Sequence, residues 1–353
     1  MEETATIDHG REVFVDFVRG LTIINMYIVH FRDSLPALWG RLIDFADLAV
    51  ESFIFLAGFM VGRHYLIKFQ RNRKQTTKRL WSRAFEILII HFIMIATISI
   101  PFYAYFRLDG YHQLYNFAAS SMLLLNQIPI LHILPTFITL FLLAPLVLLC
   151  LEKHWDTWLL IASAIVFLVG NVHPNPIGLG DTAIFPVILW QVYFVLGCYV
   201  GKHYLKIAHI NVRRFFFYAF AFYILCAFLK FGGYFQWMHD IKSTLNLYPK
   251  KFPLNIYGLV YGMGFLSLCY ASALLVWDSV KRYRIFGVII PVFGRNSLAA
   301  FVIHAYFIYI AATMQELAIH RFAVLFFVAA SFYVTYQILT CIDRAKTIVW
   351  SKI

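Results

Sequence analysis

Acidic charge is the first thing this sequence lacks. Asp and Glu number 18 against 30 Lys and Arg in 353 residues, and the four types make up only 14% of the chain, whereas soluble globular domains carry about 25%. With 61% hydrophobic residues, a soluble globular class is excluded and an integral membrane protein is expected. Cysteine is sparse too. Cys150, Cys198, Cys226, Cys269 and Cys341 fall in or at the ends of apolar runs without CxxC spacing, which argues against a disulfide framework and a metal site. No period-two alternation is present, so a transmembrane β-barrel is excluded. No polar connection is long enough to fold as a separate module. The opening "MEETATIDHGREVF" has no short apolar core with a small-residue cleavage site, so the first apolar run is expected to be retained.

What is present is a series of apolar runs. Stretches of bilayer-crossing length, roughly 17–25 residues, read at 13–31, 48–66, 84–104, 133–151, 157–171, 185–201, 215–231, 256–277, 288–312 and 322–342. The expected fold is all-α, a polytopic membrane protein of about ten helices forming one domain over residues 1–353. Lys68, Arg71, Arg73, Lys74, Lys78, Arg79 and Arg83 crowd the connection after the second run with no acid among them, which marks that side as cytoplasmic. Alternation from there places Lys202, Lys206, Arg213, Arg214, Lys281, Arg282, Arg284, Arg344, Lys346 and Lys352 on the same side, with both termini cytoplasmic. The net charge of +12 is then a topology signal, and no nucleic-acid partner is expected. Three small-xxx-small spacings, Gly58/Gly62, Gly197/Gly201 and Gly258/Gly262, mark places where helices approach closely.

Polar groups inside the first run pose a chemical question. In "DFVRGLTIINMYIVH", residues 16–30, Arg19 and His30 are eleven positions apart, which places them about 16 Å apart along a helix axis and only about 20° apart around it. Ionisable groups in a span face protein or water rather than lipid, so this face is expected to line a cavity. Arginine's fork of donors holds phosphate or carboxylate, and a neutral histidine accepts a proton. The competing reading has Arg19 snorkelling to the inner headgroups and His30 resting at the outer interface. Glu51, near the outer start of the second run, is expected at a depth similar to His30. A carboxylate there orients an imidazole and stabilises the imidazolium formed on proton abstraction. Asp47, one turn away, and the more exposed Asp44 are alternatives; equally, Glu51 caps its own helix N-terminus.

Other polar or aromatic groups are weaker candidates. His304 lies with Asn296 and Ser297 on the ninth run and faces either a substrate cavity or a packed core. His91 and His132 stand similarly. Trp190 and Gln191 open the sixth run on the outer side, where an aromatic belt is the default and a sugar can also stack. Trp237 and Tyr248 are comparable.

At this point the pattern becomes recognisable. "DFVRGLTIINMYIVH" resembles the first span of the membrane-bound acyltransferase-3 superfamily, whose signature is an arginine, ten residues and a histidine, matched here by Arg19 and His30. "ESFIFLAGFMVGRHY" resembles the second span of that superfamily, with Ala57 where serine is usual, and "FGRNSLAAFVIH" resembles its Gly-x-x-Ser-Leu segment. "ILPTFITLFLLAPLVLL", "WQVYFVLGCYVGKHY" and "DLAVESFIFLAGF" are similar to the OpgC-type branch, the succinyltransferases of osmoregulated periplasmic glucans, and the similarity runs from about Arg11 to the end.

The resemblance implies an acyl-coenzyme A-dependent O-acyltransferase of the bacterial cytoplasmic (inner) membrane, taking succinyl-CoA or acetyl-CoA from the cytoplasm and no metal. It implies that His30 accepts the proton of an acceptor hydroxyl on a glucan or other carbohydrate, with Glu51 or Asp47 orienting the imidazole. It also implies that Arg19, with Lys78, Arg79 and Arg83 at the cytoplasmic mouth, holds the anionic part of the donor; Arg79 and Arg83 are four apart where the superfamily often has arginines three apart. Trp190, Gln191 and His304 are then candidates for substrate contact, the bilayer is an obligatory partner, and a homo-oligomer stays open. A secondary transporter or lipid flippase is the rival class, although the prolines do not suggest the paired broken helices of such proteins.

Overall fold

The computed structural model describes residues 3–31, 47–106, 111–122, 130–172, 186–207, 211–231, 251, 254–317 and 321–350. Among these residues every regular element is helical and no strand occurs. Seven helices are long and apolar enough to cross a membrane: Val13–His30, Ala49–Arg71, Arg73–Tyr105, Ile133–Glu152, Ile256–Val280, Ser297–Glu316 and Phe326–Ala345. The other three runs read from the sequence fall on the helices Asp156–Val172, Val187–Ile207 and Val212–Phe231. Large apolar side chains such as Trp158, Ile165, Phe217 and Tyr218 are exposed on these helices, as lipid-facing positions require. Asp44, Trp237 and Tyr248 lie outside the described residues.

The chain forms two compact units: residues 1–49, 101–108 and 273–353 in the first, and residues 50–100 and 109–272 in the second. In order, the helices are α1 (Glu3–His30), α2 (Ala49–Arg71), α3 (Arg73–Tyr105), α4 (Tyr111–Met122), α5 (Ile133–Glu152), α6 (Asp156–Val172), α7 (Val187–Ile207), α8 (Val212–Phe231), α9 (Ile256–Val280), α10 (Ile285–Arg295), α11 (Ser297–Glu316) and α12 (Arg321–Trp350).

In the second unit, two of the glycine spacings meet each other. A Cβ on Gly58 or Gly62 of α2 would collide with the carbonyls of Phe194 or Cys198 on α7, and a Cβ on Gly197 or Gly201 of α7 would collide with those of Phe55 or Phe59 on α2. The two backbones are therefore in direct contact, which only a missing side chain permits. The α2–α3 connection turns at Asn72, an extended residue whose side chain accepts from the Gln75 amide and so caps α3. Further along, the Trp81 indole donates to the Leu142 carbonyl and ties α3 to α5.

Three helix ends of this unit are joined by one ammonium. Lys202 on α7 donates to the Leu151 carbonyl near the end of α5 at 2.8 Å and to both carboxylate oxygens of Asp156 at 2.7 Å. Asp156 stands in the first turn of α6, where the helix dipole favours an anion. Lys202→Met leaves the largely buried Asp156 carboxylate without its ammonium and is expected to destabilise the protein by about 3 kcal/mol. Thermal unfolding in detergent tests this, and an unchanged midpoint would refute it.

In the first unit, α1 and α10 also touch through backbone. A Cβ on Gly20 would collide with the Ile290 carbonyl, and one on Gly294 with the Asp16 carbonyl. The ninth run, expected as one helix over 288–312, is instead broken at Asn296, which leaves helical geometry at φ −108°, ψ 34°. Its amide donates to the Val292 carbonyl and to Asp343 Oδ1 on α12. These bonds compete with helix continuation, and Ser297 becomes the first residue of α11.

Candidate active site in the first unit

Both ends of the face read on α1 find partners on α11. Arg19 donates from Nη2 to the Ser297 hydroxyl, and His30 Nδ1 lies 3.2 Å from His304 Nε2. Contacts in the same chain order mean that α1 and α11 run in the same direction. The shared face of Arg19 and His30 thus follows the eleven-residue spacing. Tyr27 on α1 bonds Thr335 on α12 at 2.6 Å, while Asn296 bonds Asp343, so α12 runs antiparallel to α11. The start of α1 and the end of α12 consequently lie at the same end of this unit.

Arg19 sits in a row of alternating charges toward that end. Its Nη1 is 3.7 Å from Asp16 Oδ1, Asp16 Oδ2 is 3.7 Å from Arg295 Nε, and Arg295 Nη1 is 3.4 Å from Asp343 Oδ2. Asp343 also accepts from Asn296, and Ser297 from Arg19. Two guanidiniums and two carboxylates balance, which lowers the cost of placing Arg19 within a span.

His30 terminates α1 and is exposed, whereas the His304 ring is fully buried. The Tyr27 ring lies 4.3 Å from the His304 ring, with Phe31 and Phe301 each at 6.4 Å. His304 Nδ1 has no hydrogen-bond partner among the described residues. A fixed imidazole touching an accessible one forms a pair that can hold and pass a proton at the accessible ring.

The remaining candidates distribute as follows. Leu48, next to Asp47, donates its amide to Asn25 Oδ1 at 3.2 Å, which ties the Asp47 segment to α1 within the first unit. Glu51 belongs to the second unit, in the first turn of α2, nearly buried, with Lys251 Nζ 3.1 Å from its Oε2. Nothing in the local pattern around Glu51 points to Lys251 as its partner, because the two are distant in sequence and meet only through packing. Lys78 and Arg79 are exposed on α3, and Arg83 pairs with Glu86 at 2.6 Å. Trp190 is fully buried and stacks on Tyr193 with ring centroids 5.8 Å apart, a packing position with no open ring face. Gln191 exchanges bonds with Ser163, accepting from its hydroxyl at 2.7 Å and donating to its carbonyl at 2.9 Å. His91 is buried on α3 and neither ring nitrogen has a hydrogen-bond partner among the described residues, while His132 is partly buried before α5.

A family model described as "OpgC protein" matches residues 11–347. No curated protein and no solved structure matches the chain.

Proposed function

The chain belongs to the OpgC protein family, and from that premise we propose that it is an acyl-CoA-dependent O-acyltransferase of the bacterial inner membrane. In this reading it carries a short acyl group, succinyl or acetyl, from the cytoplasmic thioester to a hydroxyl of a glucan or other carbohydrate outside. The observation that carries the reading is the placement of Arg19 and His30 on one face of α1, an anion-holding group and an accessible base about three helical turns apart.

Arg19 holds an anionic group of the donor, and the pantetheine arm spans the distance to His30. Lys78, Arg79 and Arg83 add positive charge that raises the local concentration of a polyanionic donor. His30 takes the acceptor hydroxyl proton on Nε2 as the oxygen bonds the thioester carbonyl carbon. The tetrahedral intermediate collapses, the C–S bond breaks, and the leaving thiolate recovers the proton from Nε2. Asp47, whose neighbour Leu48 is tied to α1 through Asn25, is the carboxylate proposed to favour the imidazolium.

The test is transfer of labelled acetyl or succinyl from its CoA thioester to a glucan by the purified full chain in nanodiscs. Label on the glucan, with CoA released in equal amount, is the expected result. Uptake or flipping of a solute without any thioester consumption sinks the reading. Arg19→Ala is expected to raise the KM for the donor by about 10- to 100-fold, the worth of a charge-assisted hydrogen bond, with kcat little changed. Steady-state kinetics over donor concentration decide this, and an unchanged KM would remove Arg19 from donor binding.

A further inference from the structure

The base proposed above needs something to fix its tautomer, and in the first unit one group within hydrogen-bond distance of its Nδ1 is another histidine. We infer that His304 is the positioning residue of the site, accepting the Nδ1 proton of His30 on its own Nε2 so that the lone pair of His30 Nε2 faces the acceptor hydroxyl. This rests on the acyltransferase reading and adds to it the group that orients the base.

Geometry supports this role for His304 over contact with substrate. Its ring is fully buried, while His30 is exposed, so a substrate meets His30 first. Tyr27, Phe31 and Phe301 surround the His304 ring, and Tyr27 is itself held by its hydroxyl on Thr335, whose own hydroxyl donates to the Ser331 carbonyl. The ring therefore has little freedom to turn. One of its nitrogens is 3.2 Å from His30 Nδ1, and the other has no hydrogen-bond partner among the described residues. Only one proton can occupy the contact between the two rings. Placed on His30 Nδ1, it leaves Nε2 of His30 basic and puts the proton of His304 on Nδ1, where aromatic faces are weak acceptors for an N–H. Placed on His304 Nε2, it leaves His30 with its own proton on Nε2 and unable to act as a base there.

His304 therefore does for His30 what a carboxylate does in a hydrolase triad, without bringing a charge into the span. When His30 takes the hydroxyl proton, the imidazolium keeps donating from Nδ1 to His304. When the thiolate leaves, the proton returns from Nε2 and the pair is restored.

The experiment compares the full-length protein with His304→Leu, His304→Gln and His30→Ala in nanodiscs. Leucine fills space without accepting a hydrogen bond; the glutamine amide oxygen accepts one. Expected are a fall in kcat of about 100-fold for His304→Leu with the donor KM within about twofold, and recovery of at least tenfold of that loss in His304→Gln. A second readout needs no substrate. The ¹⁵N shifts of the histidine rings, with His30 assigned by its loss in His30→Ala, are expected to place the His30 proton on Nδ1 in the wild type and to show mixed tautomers in His304→Leu. A folded His304→Leu with wild-type kcat beside an inactive His30→Ala overturns the role of His304 and leaves the acyltransferase reading standing. A wild-type His30 proton on Nε2 does the same. An active His30→Ala overturns both.

Discussion

Removing the imidazole of His30 is expected to lower acyl transfer by about 10²–10⁴-fold, the range that a positioned general base contributes. The loss should fall on kcat, because in the proposed mechanism the donor is held through Arg19, about three turns earlier on α1. His30 is exposed at the last turn of its helix and buries little apolar area, so His30→Ala should fold and unfold as the wild type does. His30→Gln sharpens the result. Its amide can still donate to His304 but cannot take up a proton, so it should be as inactive as the alanine variant. Single-turnover transfer from a labelled thioester measures the chemical step directly. If His30→Gln transfers label at the wild-type rate, His30 is not the base.

The other large effect concerns folding. Gly58→Leu or Gly197→Leu should remove the backbone contact between α2 and α7, since the new Cβ has a main-chain carbonyl in its path and not a movable side chain. A loss above about 4 kcal/mol is expected, enough to keep the protein from accumulating. Monodisperse yield and the thermal midpoint read this out, with Leu143→Val on an exposed face as a neutral control. The milder Gly58→Ala and Gly197→Ala, combined, should cost less than their sum, because helices separated once need not be separated again. Wild-type midpoints in both leucine variants would show that α2 and α7 do not meet in this way.

The helical class and the apolar runs were legible because a span is a local property of sequence. The same holds for Arg19 and His30: a helix of fixed pitch carries a spacing of eleven directly into space. What was not legible is which element each face meets. His304 stood out as a polar residue in a span, yet nothing in the period of residues 297–316 says that it would touch a residue 274 positions earlier. Glycine spacing at 58/62 and 197/201 announced close approach, but the partnership of the two pairs emerges only from tertiary packing. Asn296 was counted inside a continuous span because its neighbours are apolar; its break comes from side-chain bonds to Val292 and to Asp343, 47 residues on. From sequence Glu51 reads as a partner for an imidazole or as a cap, and its ion pair with Lys251 depends on packing between distant segments that no local pattern encodes.

The row of charges formed by Arg19, Asp16, Arg295 and Asp343 has a consequence for heredity. A chain that loses one of these carboxylates keeps an excess guanidinium in or beside a span, where it is poorly solvated and free to hold the wrong anion. A chain that loses one guanidinium keeps a carboxylate with the opposite fault. Related sequences should therefore change these four positions in company, one acid with one base, and a lineage that discards Asp343 should be found to have altered Arg295 as well.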